Sequence, residues 1–162
     1  MNASSDQLEA FVNDIGSITY RDEANVLSVK SKDYFWYSPI LKEQLDDCVG
    51  QLLVIPKTEE EVMTIAAAIA RHRIPLPIRG GGTGNYGQCI PIEGGVVLET
   101  TKLNKVLEIS EGRVVSEAGA RIEQVEKAVA ESCQMLSMFP STKRLATMGG
   151  FVSGGSGGIG SL

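Results

Sequence analysis

The stretch RGGGTGNYG, Arg79 to Gly87, puts five glycines directly after the extended-looking run Pro75–Arg79. Each glycine inside regular structure costs about 0.5–1 kcal/mol relative to alanine, so a cluster this dense asks for a reason. Either the backbone takes dihedrals that only glycine tolerates, or something lies against it with no side chain between. The same clustering recurs near the end. Of 18 glycines, seven fall in residues 80–95 and seven in residues 149–160. The chain has to fold around these two bare segments rather than through them.

The sequence before the first cluster reads as a β-α-β unit. Gln51–Ile55 is a short apolar run closed by Pro56, which marks a buried strand. Thr58 and Glu61 have capping-box spacing, and Glu59 and Glu60 favour the same positive helix end. That helix runs to about Arg73 and turns Val62, Ile65, Ala66 and Ile69 inward. Leu76–Ile78 is the second strand, and a crossover of this size makes the two strands parallel. Beyond the loop, Gly95–Glu99 is a strand, and Lys105–Ile109 and Arg113–Glu117 flank a hairpin turn at Glu111-Gly112. A helix over 121–132 buries Ile122, Val125, Ala128 and Val129, and Met135–Phe139 returns as a strand. The first 47 residues are an arm. Residues 4–14 form a helix with Leu8, Phe11, Val12 and Ile15 on one face, and 39–47 form another. Between them, the aromatic knot Tyr34–Tyr37 reads as packing of the arm onto the main body, with ligand stacking as the alternative.

Composition removes several classes. Net charge is −5 and no Lys/Arg run occurs, which argues against a nucleic-acid partner. Cys48, Cys89 and Cys133 are odd in number and share no ligand spacing, so a disulfide framework or zinc site is not indicated and a reducing, cytoplasmic setting fits. The first residues show no signal-peptide pattern, and no stretch approaches a transmembrane span. Peripheral membrane association of a longer parent stays open.

Gly82-Thr-Gly84-Asn-Tyr-Gly87 matches GxGxxG, and so does Gly155-Ser-Gly157-Gly-Ile-Gly160. Two matches in one glycine-rich chain show how little the string says alone. The dinucleotide meaning needs a helix opening at the loop, whereas Gln88–Gly95 follows here; a Walker loop needs a following Lys-Ser/Thr. An anion cradle needs neither, because successive unhindered N–H groups in a turn make a concave nest for phosphate oxygens. Thr83 and Asn85 add donors, and Arg79 sits at the rim. A plain glycine-rich crossover is the alternative.

Arg79–Asn85 after a β-α-β unit resembles the pyrophosphate loop of the FAD-binding domain shared by vanillyl-alcohol oxidase and p-cresol methylhydroxylase (PCMH-type). Further matches follow in the family's order: Gly95–Ile109 is similar to its GGVVLDLSRMNRVLEI segment, Ser116–Gly119 to its VEPG turn, and Thr147–Ser153 to its TIGGNVA. The resemblance covers residues 48–162 and is nearest to the glycolate oxidase D-subunit and D-lactate dehydrogenase group. It implies a mixed α+β fold, an N-terminal β-α-β subdomain over the start of a second, with the domain incomplete at its C-terminal end. It also implies FAD, its pyrophosphate on Gly80, Gly81, Gly82, Thr83, Gly84 and Asn85 with Arg79 alongside. Gly119, Pro140 and Ser141 would lie near the isoalloxazine, and Gly149, Gly150, Ser153 and Gly154 would let the backbone pass close to flavin and ribityl chain.

Two departures from the family shape the expectation. Phe139–Lys143 stands where members carry a Pro-Pro-Asp-like stretch, and Thr83 stands where berberine-type members carry a flavin-linked histidine. The only histidine, His72, reads as a surface residue at a helix end, so FAD is expected without a covalent link. The implied parent is a flavin-dependent oxidoreductase passing a hydride from a 2-hydroxy acid to flavin N5, of which this chain is an N-terminal piece. No catalytic residue is assigned within it, and the piece alone is expected to be inactive. The other readings are a non-catalytic FAD-binding or assembly subunit of a multi-chain oxidase and a FAD-dependent nucleotide-sugar reductase. The partners implied are FAD, a small-molecule substrate and other oxidase subunits.

Overall fold

The alternation of short apolar runs with capped amphipathic stretches produces the elements that it implies, and the computed structural model describes them over residues 2–35 and 38–161. The chain divides into two compact units, one of Met1–Arg79 with Gly84–Glu99 and one of Gly80–Thr83 with Thr100–Leu162.

In the first unit the helices are α1 (Ser5–Ile15), α2 (Ala24–Lys30), α3 (Pro39–Leu45) and α4 (Glu59–His72), and the strands are β1 (Tyr20–Arg21), β2 (Leu52–Val54), β3 (Ile78–Arg79) and β4 (Val96–Glu99). The sheet order is β1-β2-β4-β3. β2 and β3 are parallel as expected, but they do not pair with each other: β4 lies between them, parallel to both. Every residue of β2 and β4 is buried, because both faces of the sheet are covered. On one face Leu52, Val54, Val96 and Leu98 pack with Phe11 and Ile15 of α1 and Ile65 and Ala68 of α4. On the other, Leu53 and Val97 meet Leu27 of α2.

Local chemistry sets the helix starts. Ser4 and Gln7 form a reciprocal capping box on α1. On α4, Thr58 Oγ1 accepts from Glu61 N–H, but the Glu61 carboxylate reaches past the cap and accepts from Lys57 N–H at 2.6 Å. The inward face of α4 is also one residue different from the periodic reading: Ala68 is buried and Ala66 is exposed, since the helix is covered along one side by α1. β1 and α2 carry no legible period, and their formation depends on pairing with β2 and packing on Leu53.

α1 is tied to the end of α4 by charge. Asp14 Oδ2 accepts from Arg71 NH1 at 2.5 Å and lies 2.8 Å from His72 Nε2, and Gln7 Nε2 donates to the His72 carbonyl. His72 is therefore a docked residue, with only 19% of its side chain exposed, and not the loose surface group that its position in the sequence implies. The His72 hydrogen bond, opposed by partial desolvation and aided by Arg71, holds the Asp14 carboxyl below its usual range. A carboxyl depressed on folding contributes stability above its unfolded pKa, about 3.9, and loses it as the pH falls through the folded value. Thermal melts between pH 6 and pH 2.5 are therefore expected to place Asp14→Asn below wild type at the upper end, with the gap closing below about pH 4. A gap that is constant over that range would show that the pair adds nothing to stability.

In the second unit β5 (Val106–Ser110) and β6 (Arg113–Ser116) form the antiparallel hairpin, with a bulge between Val106 and Glu108. α5 (Ile122–Ala130) buries Ile122, Val125 and Val129, and α6 is Met148–Ser153. Ala120, Val125 and Val129 pack with Val106, Ile109, Val114, Leu136 and Met148. Met135–Phe139 is not a strand. Among the described residues only Phe139 of this stretch pairs, in a single antiparallel bridge to Ile159, and Met135 is 80% exposed. Conversely, the glycine cluster at 149–160 begins inside a helix, because Thr147 caps α6 by accepting from Gly150 N–H. Of the aromatic knot, Trp36 and Tyr37 lie outside the described residues, and Tyr34 is 59% exposed.

Candidate functional site

Arg79 ends β3 and is 8% exposed. The sequence sets it at the rim of an anion cradle, but its guanidinium is turned to the C-terminal end of α2. NH1 donates to the carbonyls of Lys30, at 3.0 Å, and Lys32. A cation at the carbonyl end of a helix satisfies acceptors that have no intrahelical partner. The same nitrogen lies 3.5 Å from Cys89 Sγ; burial pushes that thiol up, against the pull of the Arg79 charge. Beside Arg79 across the parallel register, Glu99 is paired with Lys30 at 2.6 Å.

The rest of the loop within this unit is held from the N-terminal arm. Tyr34 N–H donates to the Gly84 carbonyl at 2.8 Å, and Gly87 N–H donates to Asp33 Oδ2 at 2.8 Å. Asp33 Oδ1 accepts from Phe35 N–H at 3.0 Å. Asp33 and the backbone bond of Tyr34 escape sequence reasoning because they sit in an aperiodic stretch far from the loop, where Tyr34 is legible only as part of the aromatic knot. Their only local signal is an Asp two residues before the amide that it caps, the Asx-turn pattern.

The second unit collects three segments that are distant in sequence. Gly80 faces Thr147 Oγ1, and Gly81 lies against the Leu145 carbonyl and the Ala146 backbone. Met148 N–H and Gly149 N–H donate to the carbonyls of Ala120 and Ala118, each at 2.8 Å. Gly119 N–H donates to the Leu103 carbonyl, and a side chain added at Gly119 would run into the Thr100 and Leu103 carbonyl oxygens. Thr147, 1% exposed, is the centre of this packing and was not singled out as a site residue by the sequence. Gly150 caps into Thr147, while Ser153 and Gly154 finish α6 in exposed positions. Pro140 and Ser141 belong to a different turn, closed by Lys143 N–H on the Pro140 carbonyl. Lys143 itself is bound to both Glu126 oxygens and stands 4.6 Å over the Phe139 ring.

Part of the loop's bareness is thus explained by the chain's own packing at Gly80 and Gly81. What that packing leaves over is a run of amides. Among the described residues, none of the backbone N–H groups from Gly81 to Tyr86 donates a hydrogen bond within the protein. Gly82 within it has φ +65°, a conformation suited to glycine. Thr83 is half-buried, and Gly84 to Tyr86 are exposed. Gly81 to Thr83 belong to the second unit and Gly84 to Tyr86 to the first; backbone amides that have no acceptor among the described residues can bind an oxyanion.

The model of the FAD binding domain family matches residues 50–162, more than half of the chain. The chain belongs to this family. The glycolate oxidase subunit GlcD of Escherichia coli is 34% identical to this FAD binding domain over 110 residues, which are 67% of the chain and 22% of that protein. The D-lactate dehydrogenase of Archaeoglobus fulgidus is 32% identical over 112 residues, 68% of the chain and 25% of that protein. The domain therefore spans about a quarter of the length of these relatives. Among solved structures, p-cresol methylhydroxylase matches with a TM-score of 0.75 at 18% identity, over 93% of this chain and 30% of that one. Alkyldihydroxyacetonephosphate synthase matches with the same TM-score at 20% identity, over 91% and 29%. The fold is the mixed α/β, PCMH-type FAD-binding fold. Among the described residues, no helix is long and apolar enough to cross a membrane.

Proposed function

We propose that the Gly81–Tyr86 amides hold the diphosphate of FAD in an oxidoreductase that acts on a 2-hydroxy acid. The carrying observation is that these amides have no acceptor among the described residues, in a chain of the FAD binding domain family. The residues fit the group: the donors are backbone, Gly82 takes φ +65°, and among the described residues no carboxylate hydrogen-bonds to these amides. Arg79, held on the α2 carbonyls, supports the loop from behind rather than pairing with a phosphate. Gly119, Gly149 and Gly150, packed around Thr147, offer backbone to the flavin and ribityl end. Pro140, Ser141, Ser153 and Gly154 complete that end when the cofactor is bound. Residues 48–162 are the FAD-binding part, and residues 1–47 are an arm that serves it.

When bound, FAD supplies the two-electron acceptor, and the protein supplies orientation and electrostatics. The substrate class is supported by the names of relatives that are about a third identical, a glycolate oxidase subunit and a D-lactate dehydrogenase. The subunit among them also supports assembly with further chains. FAD is held without a covalent bond: Thr83 offers no nucleophile comparable to imidazole, His72 is committed to Asp14, and burial pushes the Cys89 thiol up, which disfavours the thiolate. Residues 1–162 by themselves would leave a substrate unpositioned and give no turnover.

The test uses the full-length protein. Its visible spectrum should show bound flavin, and acid precipitation should release all of the colour into the supernatant. Anaerobic addition of D-lactate, glycolate or 2-hydroxyglutarate should bleach the flavin. Colour retained in the pellet overturns the non-covalent assignment, and a spectrum that none of these acids bleaches overturns the substrate class.

A further inference from the structure

We propose that the turn Lys30–Phe35 is a brace that pre-shapes the glycine loop, and that Asp33 is its positioning residue for the cofactor. The inference rests on reading Gly81–Tyr86 as the diphosphate cradle. A loop of five glycines loses more conformational entropy on ordering than any other sequence of its length, and that loss weakens binding if it is taken when the ligand arrives. The brace takes it at folding instead. It grips the loop at three places: before it, where Arg79 reaches the Lys30 and Lys32 carbonyls; in the middle, where Tyr34 N–H meets the Gly84 carbonyl; and after it, where Gly87 N–H meets Asp33.

These grips determine where the free amides point. In a planar trans peptide the carbonyl and the following N–H face opposite ways. Fixing the Gly84 carbonyl on Tyr34 therefore aims Asn85 N–H away from the brace. Fixing Gly87 N–H on Asp33 likewise sets the direction of the Tyr86 carbonyl. Asp33 is the keystone because it uses both carboxylate oxygens, one on Phe35 within its own turn and one on Gly87 across the loop. Bonds from N–H to a carboxylate are about twice as strong as neutral ones. A negative charge beside a diphosphate site opposes anion binding, so the benefit of Asp33 to the site is shape.

That opposition makes the test sharp. Asp33→Asn is isosteric and removes the charge, which by electrostatics alone would tighten FAD binding. It also presents an NH2 group to one of the two amides, donor against donor, and so breaks the brace. In the full-length apoprotein, amide hydrogen exchange over 80–88 is expected to speed up at least about tenfold, with the rest of the protein unchanged, and the FAD dissociation constant from flavin fluorescence to rise about tenfold. Asp33→Ser, which keeps one short acceptor, stands in if the asparagine variant loses its native circular dichroism, with the same changes expected. Asp14→Asn, remote from the loop, should leave both readouts at wild type.

Unchanged loop exchange, or FAD binding equal to or tighter than wild type, overturns the brace. Loss of both in Asp14→Asn as well reduces Asp33 to general stability and overturns it too. The underlying cradle reading is tested apart from this, with Asp33 intact, by Gly82→Val: full FAD occupancy there removes the cradle whatever Asp33 does.

Discussion

Valine at position 82 is expected to strip FAD from the full-length protein. Gly82 has φ +65°, where a β-branched residue is a steric outlier, and it lies within the run of amides from Gly81 to Tyr86 that have no acceptor among the described residues. A branched side chain there both twists the turn and stands where phosphate oxygens would approach. We expect the FAD dissociation constant to rise roughly a hundredfold or more, about 3 kcal/mol, read as lost flavin absorbance after desalting and as a weak fluorescence titration. Gly82→Asn separates the two causes. Asparagine tolerates the left-handed conformation, so it should fold like wild type yet still bind FAD poorly, because its side chain occupies the same space. If Gly82→Val retains its full complement of FAD, the loop is only a crossover between strand and hairpin.

The second large effect falls on stability and needs no cofactor. A methyl group on Gly119 would overlap the carbonyl oxygens of Thr100 and Leu103, both backbone, so the hairpin entry or the turn before α5 has to move. Overpacking of this kind costs about 1–3 kcal/mol and more where backbone must yield. For a domain of this size each kcal/mol lowers the melting temperature by roughly 2–4 °C, so Gly119→Ala apoprotein should melt about 6–12 °C below wild type. Gly157→Ala is the control. Its added carbon would make only an ordinary contact, 3.7 Å from Ser161 Oγ, and its melting temperature should stay within about 2 °C of wild type. A Gly119→Ala apoprotein as stable as wild type would return that glycine wholly to the flavin, which the resemblance alone had assigned it.

Local pattern carried a great deal of this molecule. The continuous apolar run of β4, the amphipathic period and Thr58 cap of α4, and the Glu111-Gly112 turn between β5 and β6 were all legible, since each depends on residues within a few positions. The ordered motifs from Arg79 to Ser153 carried the family, and the family model agrees over residues 50–162. Tertiary structure alone decided the rest, always where a partner lies far along the chain. It inserted β4 between β2 and β3, left the Phe139 segment a single bridge to Ile159, and docked His72 on Asp14. It placed the Arg79 guanidinium on the Lys30 carbonyl at the end of α2 and on the Lys32 carbonyl just beyond it, 49 and 47 residues away, because a helix end with unsatisfied acceptors lay within reach of a buried guanidinium. And it put Asp33 on Gly87, 54 residues distant, a bond that no periodicity, cap or motif announces. A hydrogen bond needs only two groups brought within about 3 Å, and the sequence around either group carries no record of the other.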